Sequence, residues 1–112
     1  MNYLFVILFE ILSNLKVKSI TAMEDKLLYK IHVRGYVQGV GFRWSAAREA
    51  NKLGITGFVK NLQDDSVYIE AESSAEKLKA YVEWCKKGPG FVESVEVESF
   101  PAVNYKDFRI EH

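Results

Sequence analysis

Gly35-Tyr36-Val37-Gln38-Gly39-Val40-Gly41-Phe42-Arg43 is the stretch on which the reading of this chain turns. On its amino-terminal side, Leu27, Tyr29, Ile31 and Val33 alternate with Leu28, Lys30, His32 and Arg34. That period of two predicts a strand with one buried face. On its carboxyl-terminal side, Ala46, Ala47, Ala50 and Leu53 recur at helical spacing, and Gly54 stands where a helix ends. A helix from about Arg43 to Leu53 follows. The stretch is thus a strand-to-helix turn carrying three glycines and one arginine. Glycine turns the backbone through positive φ and lets it approach a ligand closely. Successive N–H groups in such a turn make a concave nest for an anion, and the helix start adds further donors. Arg43 supplies a planar fork that matches two phosphoryl oxygens. An arginine in a helix's first turn faces the positive end of the macrodipole, at a cost of about 0.3–1 kcal/mol that a bound anion cancels. The segment suits a small phosphorylated molecule; the same spacing also fits a glycine-rich turn followed by a solvated arginine.

Working outward, Thr56 to Leu62 reads as a second strand and Gln63-Asp64-Asp65-Ser66 as turn chemistry, with Val67, Ile69 and Ala71 alternating on the returning strand. Ser73-Ser74-Ala75-Glu76 has the form of a capping box. It precedes a helical stripe of Ala75, Leu78, Val82 and Cys85 that Gly88-Pro89 stops. Val95 and Val97, alternating with Glu93, Glu96 and Glu98, form a further strand, and Tyr105, Phe108 and Ile110 suggest a short last one. The order β-α-β-β-α-β predicts an α+β fold, a ferredoxin-like sandwich with an antiparallel sheet of four to five strands and two helices on one face.

Length and composition bound the function. The 112 residues make one domain with a single modest core. Apolar residues are 48% and charged residues 27%, an ordinary globular mixture. Fifteen basic and fifteen acidic side chains cancel, which argues against nucleic acid as the main partner but leaves room for one small anion. Cys85 is the only cysteine, so no intrachain disulfide forms, as suits a reducing compartment and a cytoplasmic location. His32 and His112 lie far apart and no metal-ligand spacing occurs, so no metal is expected. Residues 1–25 differ from the rest. Tyr3 to Leu12 is apolar except for Glu10, which is too short to cross a bilayer needing about 20 residues. No positive charge precedes it beyond the amino terminus, as a secretory signal would require. An amphipathic helix with Leu4, Leu8, Ile11 and Leu15 on one stripe is one reading; an upstream start, with the natural chain beginning at Met23, is another. Residues 1–25 are taken as an accessory or artefactual extension and residues 26–112 as the functional domain.

From about residue 27 to the end, the chain closely resembles the acylphosphatase family. That family's first motif, G-x-V-Q-G-V-x-F-R, is matched throughout by Gly35 to Arg43, and its second by Gly57-Phe58-Val59-Lys60-Asn61. One departure is Asp64-Asp65, where the family usually has Asp-Gly, so a strained or reshaped turn is expected there. The resemblance implies hydrolysis of the carboxyl–phosphate bond of an acyl phosphate, giving a carboxylate and inorganic phosphate, with no cofactor. Arg43 would clamp the phosphoryl oxygens. The backbone N–H groups of Gly35, Tyr36, Val37, Gln38, Gly39 and Val40 would complete the cradle, and Asn61 would hold the attacking water. Gln38 suits a turn-stabilising role as well as contact with a substrate oxygen. Trp44, Phe42 and Phe58 suit core or pocket-wall positions, and His32 a solvated one. The implied partner is a small acyl phosphate, with inorganic phosphate as product or inhibitor; a monomer without nucleic-acid or membrane partners is expected. The competing reading is a non-catalytic module that binds acyl or carbamoyl phosphate, as in acylphosphatase-like parts of larger maturation enzymes.

Overall fold

The computed structural model describes residues 25–112. The stripe of Leu4, Leu8, Ile11 and Leu15 and the alternative start at Met23 lie outside the described residues. The elements run β1 (Lys26–Tyr36), α1 (Phe42–Leu53), β2 (Thr56–Asn61), β3 (Val67–Ser74), α2 (Ala75–Lys86), β4 (Phe91–Pro101) and β5 (Phe108–Glu111). The strands lie in the order β4-β1-β3-β2-β5. Each helix is therefore a crossover that skips one strand: α1 carries the chain from β1 over β3 to β2, and α2 carries it from β3 over β1 to β4. This is the ferredoxin-like α+β arrangement expected from the order of elements. One feature of the expected sheet is corrected. β1 pairs antiparallel with β3 and β4, and β2 antiparallel with β3, but β5 pairs parallel with β2, from Gly57↔Phe108 to Lys60↔Glu111. The sheet is mixed because the β4–β5 connection crosses the whole sheet before β5 begins.

The period-two pattern places Ile31 and Val33 of β1, Val59 of β2 and Val67, Ile69 and Ala71 of β3 on one face, and all six are fully buried. Register sets Ile31 and Val59 on either side of Ile69. Over this face lie Phe42, Ala46 and Ala50 of α1 and Leu78, Tyr81 and Cys85 of α2. Burial pushes the Cys85 thiol up to about 12, so it is a core residue without thiolate character. The Tyr81 hydroxyl donates to the Ala46 carbonyl at 2.8 Å, tying the two helices together.

The helix ends follow local chemistry, with one difference. Gly54 closes α1, and Ile55 N–H reaches back to the Ala50 carbonyl at 2.8 Å. For α2 the N-cap is Ser74 rather than Ser73. Ser74 Oγ accepts from Lys77 N–H, while Ser73 stays in β3 opposite Leu27. Ser73 is buried within β3, whereas Ser74 is the last residue of the strand and is the one adjoining α2. Tyr105 belongs to the connection before β5 and not to the strand.

That connection is anchored by one buried carboxylate. Glu72, in the central strand β3, accepts from the backbone N–H groups of Val103, Asn104 and Tyr105 at 2.7, 2.9 and 3.1 Å. Three charge-assisted bonds offset the cost of burying the group. They also fix where the chain crosses the sheet to deliver β5.

Replacing Tyr81 with Phe removes one buried hydrogen bond and little volume. Urea unfolding is expected to register a loss of about 0.5–1.5 kcal/mol. An unchanged midpoint would mean that the tie between the helices carries no stability.

Candidate functional site

The glycine-rich turn runs from the end of β1 into α1 and forms one wall of a cavity. Gly39 and Gly41 hold φ of 75° and 77°, values that suit glycine, and the space around both is open. Gly41 is the N-cap of α1 and offers no side-chain cap; the first turn holds no acidic residue. The first hydrogen bond into the helix runs from Ser45 N–H to the Gly41 carbonyl at 3.1 Å. The amides before Ser45 lack an intrahelical acceptor. They leave a positive helix end aimed at the turn, the arrangement that takes an anion.

Arg43 and Asn61 line this cavity together. Its volume is about 270 Å³, and Val37, Gly39, Phe42, Trp44, Ile110 and His112 complete the wall. Arg43 extends from the first turn of α1 toward the end of β5, where Nη1 donates to the Glu111 carbonyl and to His112 Nδ1, both at 3.2 Å. Among the described residues Arg43 is in no ion pair. Asn61 is the last residue of β2, two positions beyond Val59 and so on the same, helix-covered face. The cavity thus brings together a cation, a positive helix end and a carboxamide.

The hairpin that follows Asn61 is tied to the turn. The Gln38 carboxamide donates to the Leu62 carbonyl at 2.8 Å and to the Ser66 carbonyl at 2.9 Å. Its side chain is thereby committed to the turn-stabilising role. Asp65 takes the left-handed conformation, φ 69°, the reshaped turn expected where Asp replaces Gly. Asp64 Oδ1 accepts from Ser66 N–H at 3.1 Å and from Ser66 Oγ. His32 is half-buried rather than solvated, with Nε2 2.6 Å from Ser66 Oγ and Nδ1 3.4 Å from Arg34 Nη2. A guanidinium only donates, so Nδ1 accepts, Nε2–H donates to Ser66, and the Ser66 hydroxyl donates to Asp64. Ser66 therefore points its proton at a carboxylate and not at a base. The trio of Ser, His and Asp is a clamp on the hairpin and not a nucleophilic site. Arg34 closes it with ion pairs to Asp64 at 3.2 Å and Glu96 at 3.3 Å. The sequence pattern of alternating strand residues carried no signal for this clamp, which joins β1 to a turn some thirty residues away.

Of the other expected site residues, Val37, Gly39 and Arg43 line the cavity, whereas Gly35 and Tyr36 border a neighbouring depression with Asp64, Ser66 and Glu93. Trp44 is 61% exposed and forms a cavity rim, and Phe42 is buried. The cavity residues Ile110 and His112 were missed, because nothing local to them announces their meeting with Arg43. Among the described residues no group of three or more His, Cys, Asp or Glu is arranged to hold a metal ion, and no helix is long and apolar enough to cross a membrane.

A family model described as Acylphosphatase matches residues 29–110. An acylphosphatase of Lactiplantibacillus plantarum is 43% identical over 79 residues, covering 68% of this chain and 88% of that protein. Among solved structures, an acylphosphatase from Bacillus subtilis superposes with a TM-score of 0.75 at 37% identity, covering 77% of this chain and 99% of that one. An acylphosphatase from Coxiella burnetii gives 0.76 at 33% identity, covering 80% and 97%.

The hydrogen bonds from Ser66, and then Arg34, hold the Asp64 carboxyl below its ordinary 3.8. A lowered folded value means stability that is present above about pH 4 and lost as pH falls through the folded value. Urea midpoints measured from pH 6 to pH 2.5 are expected to fall more steeply in the parent than in Asp64→Asn. Parallel curves would remove Asp64 from the account of the hairpin.

Proposed function

The chain belongs to the acylphosphatase family and is a hydrolase of acyl phosphates, and we propose that it works through Arg43, the amides of the glycine turn and Asn61. The observation that carries this assignment is the single cavity in which Arg43 and Asn61 face the uncapped start of α1. The phosphoryl group sits against that helix start. Its oxygens take the Arg43 guanidinium from the Glu111 carbonyl and His112, exchanging neutral acceptors for charged ones. The turn amides, among them those of Gln38, Gly39 and Val40, hold the remaining oxygens as charge spreads over them in the transition state.

Asn61 holds the attacking water through its carboxamide, in line with the leaving carboxylate oxygen. The water oxygen bonds to phosphorus, the phosphorus–acyl oxygen bond breaks, and its electron pair leaves on the carboxylate. A carboxylate leaves without a strong general acid. An amide takes up no proton at neutral pH, so the water's proton passes to the substrate's own oxygens. Neither a metal nor an organic cofactor takes part in this scheme. Residues 26–112 hold every group named, which supports reading residues 1–25 as accessory. A monomer acting in the cytoplasm, without nucleic acid, is the accompanying proposal, and inorganic phosphate inhibits by occupying the cradle.

Phosphate release from a synthetic aryl acyl phosphate, with and without chelator, tests the scheme. Arg43→Ala is expected to lower kcat/KM by about 100-fold or more and to weaken phosphate inhibition. Asn61→Ala is expected to lower kcat by about 100-fold while phosphate inhibition stays within a few-fold of the parent. Full turnover by Asn61→Ala would remove the water-holding role. A chain shortened to residues 23–112 is expected to match the parent in kcat/KM, and a large loss would make the extension part of the enzyme.

A further inference from the structure

A second concavity shares one wall with the phosphoryl cavity and has no part in the scheme above. Trp44 lines the cavity with Arg43 and Asn61, and it also lines a groove of about 660 Å³ with Arg48, Lys52, Trp84 and Lys87. Trp44, Arg48 and Lys52 recur every fourth residue of α1, so they form one stripe that rises about 6 Å at each step away from the helix start. The Arg48 guanidinium lies 5.4 Å over the Trp44 ring. Lys87, just past the end of α2, belongs to the same groove. Glu49 is the one acidic residue in the lining, against three cations. Among the described residues, none of Arg48, Lys52 and Lys87 is in an ion pair; the pairs formed are those of His32, Arg34, Lys86 and Arg109. This local surplus stands on a chain of zero net charge.

We propose that the groove receives the acyl end of the substrate and favours acyl phosphates whose acyl group carries a second anion, a carboxylate or a phosphate. The inference rests on the phosphoryl assignment to the cavity at the start of α1. From there the acyl group leaves past Trp44, whose exposed ring offers apolar surface to its carbons. The second anion then meets Arg48 one helical turn on, with Lys52 and Lys87 beyond. Such exposed contacts are individually weak, so three cations converging on one groove matter more than any single pair.

The test compares three substrates on the full chain: benzoyl phosphate, 4-carboxybenzoyl phosphate and 4-carbamoylbenzoyl phosphate. The last two match in shape and differ in charge. At low salt the parent is expected to prefer the carboxylate over the carboxamide by about fivefold in kcat/KM, mainly through KM. The preference shrinks at about 0.5 M salt through screening. In the triple variant Arg48→Gln, Lys52→Gln, Lys87→Gln the ratio falls to about one, while turnover of benzoyl phosphate is unchanged. Turnover of benzoyl phosphate without any preference in the parent overturns the groove assignment alone. So does a preference that survives the triple variant. Failure of the parent on benzoyl phosphate itself overturns the phosphoryl assignment, and this inference with it.

Discussion

The position of β3 between β1 and β2 is the constraint from which the site follows. Both outer strands of this trio are antiparallel to β3, so they end on the same side of the sheet. Two strand spacings of nearly 5 Å separate those ends by about 10 Å. The glycine turn leaves one end and Asn61 closes the other, and α1, which starts from that turn, packs over β2 and β5. The cavity lies where that turn, the start of α1 and the ends of β2 and β5 meet.

Two sets of long-range contacts hold the elements around the cavity in place. Gln38 and the clamp of His32, Ser66 and Asp64 hold the β2–β3 hairpin to β1 and to the turn. On the far side, Glu72 grips the backbone of the β4–β5 connection, which delivers β5 parallel to β2 and sets residues 110–112 beside Arg43. Charge stabilisation in a transition state depends on donors that need not reorganise. These contacts supply such order to the elements around the cavity. The groove across Trp44 adds a cationic surface on the flank of the same helix whose first turn lines the cavity.

Much of this was legible from residues alone. The alternation in β1, the alanines of α1 and the Gly88-Pro89 stop each act within a turn or a few residues, and the elements formed where they pointed. Arg43 and Asn61 were legible because they stand at fixed places in two local motifs. His32 was not, since its partner Ser66 is 34 positions away, and an outward strand position reads as solvated until a hairpin folds over it. The N-cap of α2 is Ser74 and not Ser73, because Ser73 is buried inside the strand and Ser74 stands at its end.

Local chemistry, then, determined the identity and order of the elements, the glycine turn and the two motif side chains that meet in the cavity. Tertiary structure alone decided that the last strand runs parallel, that Arg43 rests against residues 68 and 69 positions further on, and that three scattered cations share a groove with Trp44. The reason is physical. Propensity, capping and periodicity act between neighbours in the chain, whereas register, ion pairing and cavity walls arise only when distant segments are packed to van der Waals contact.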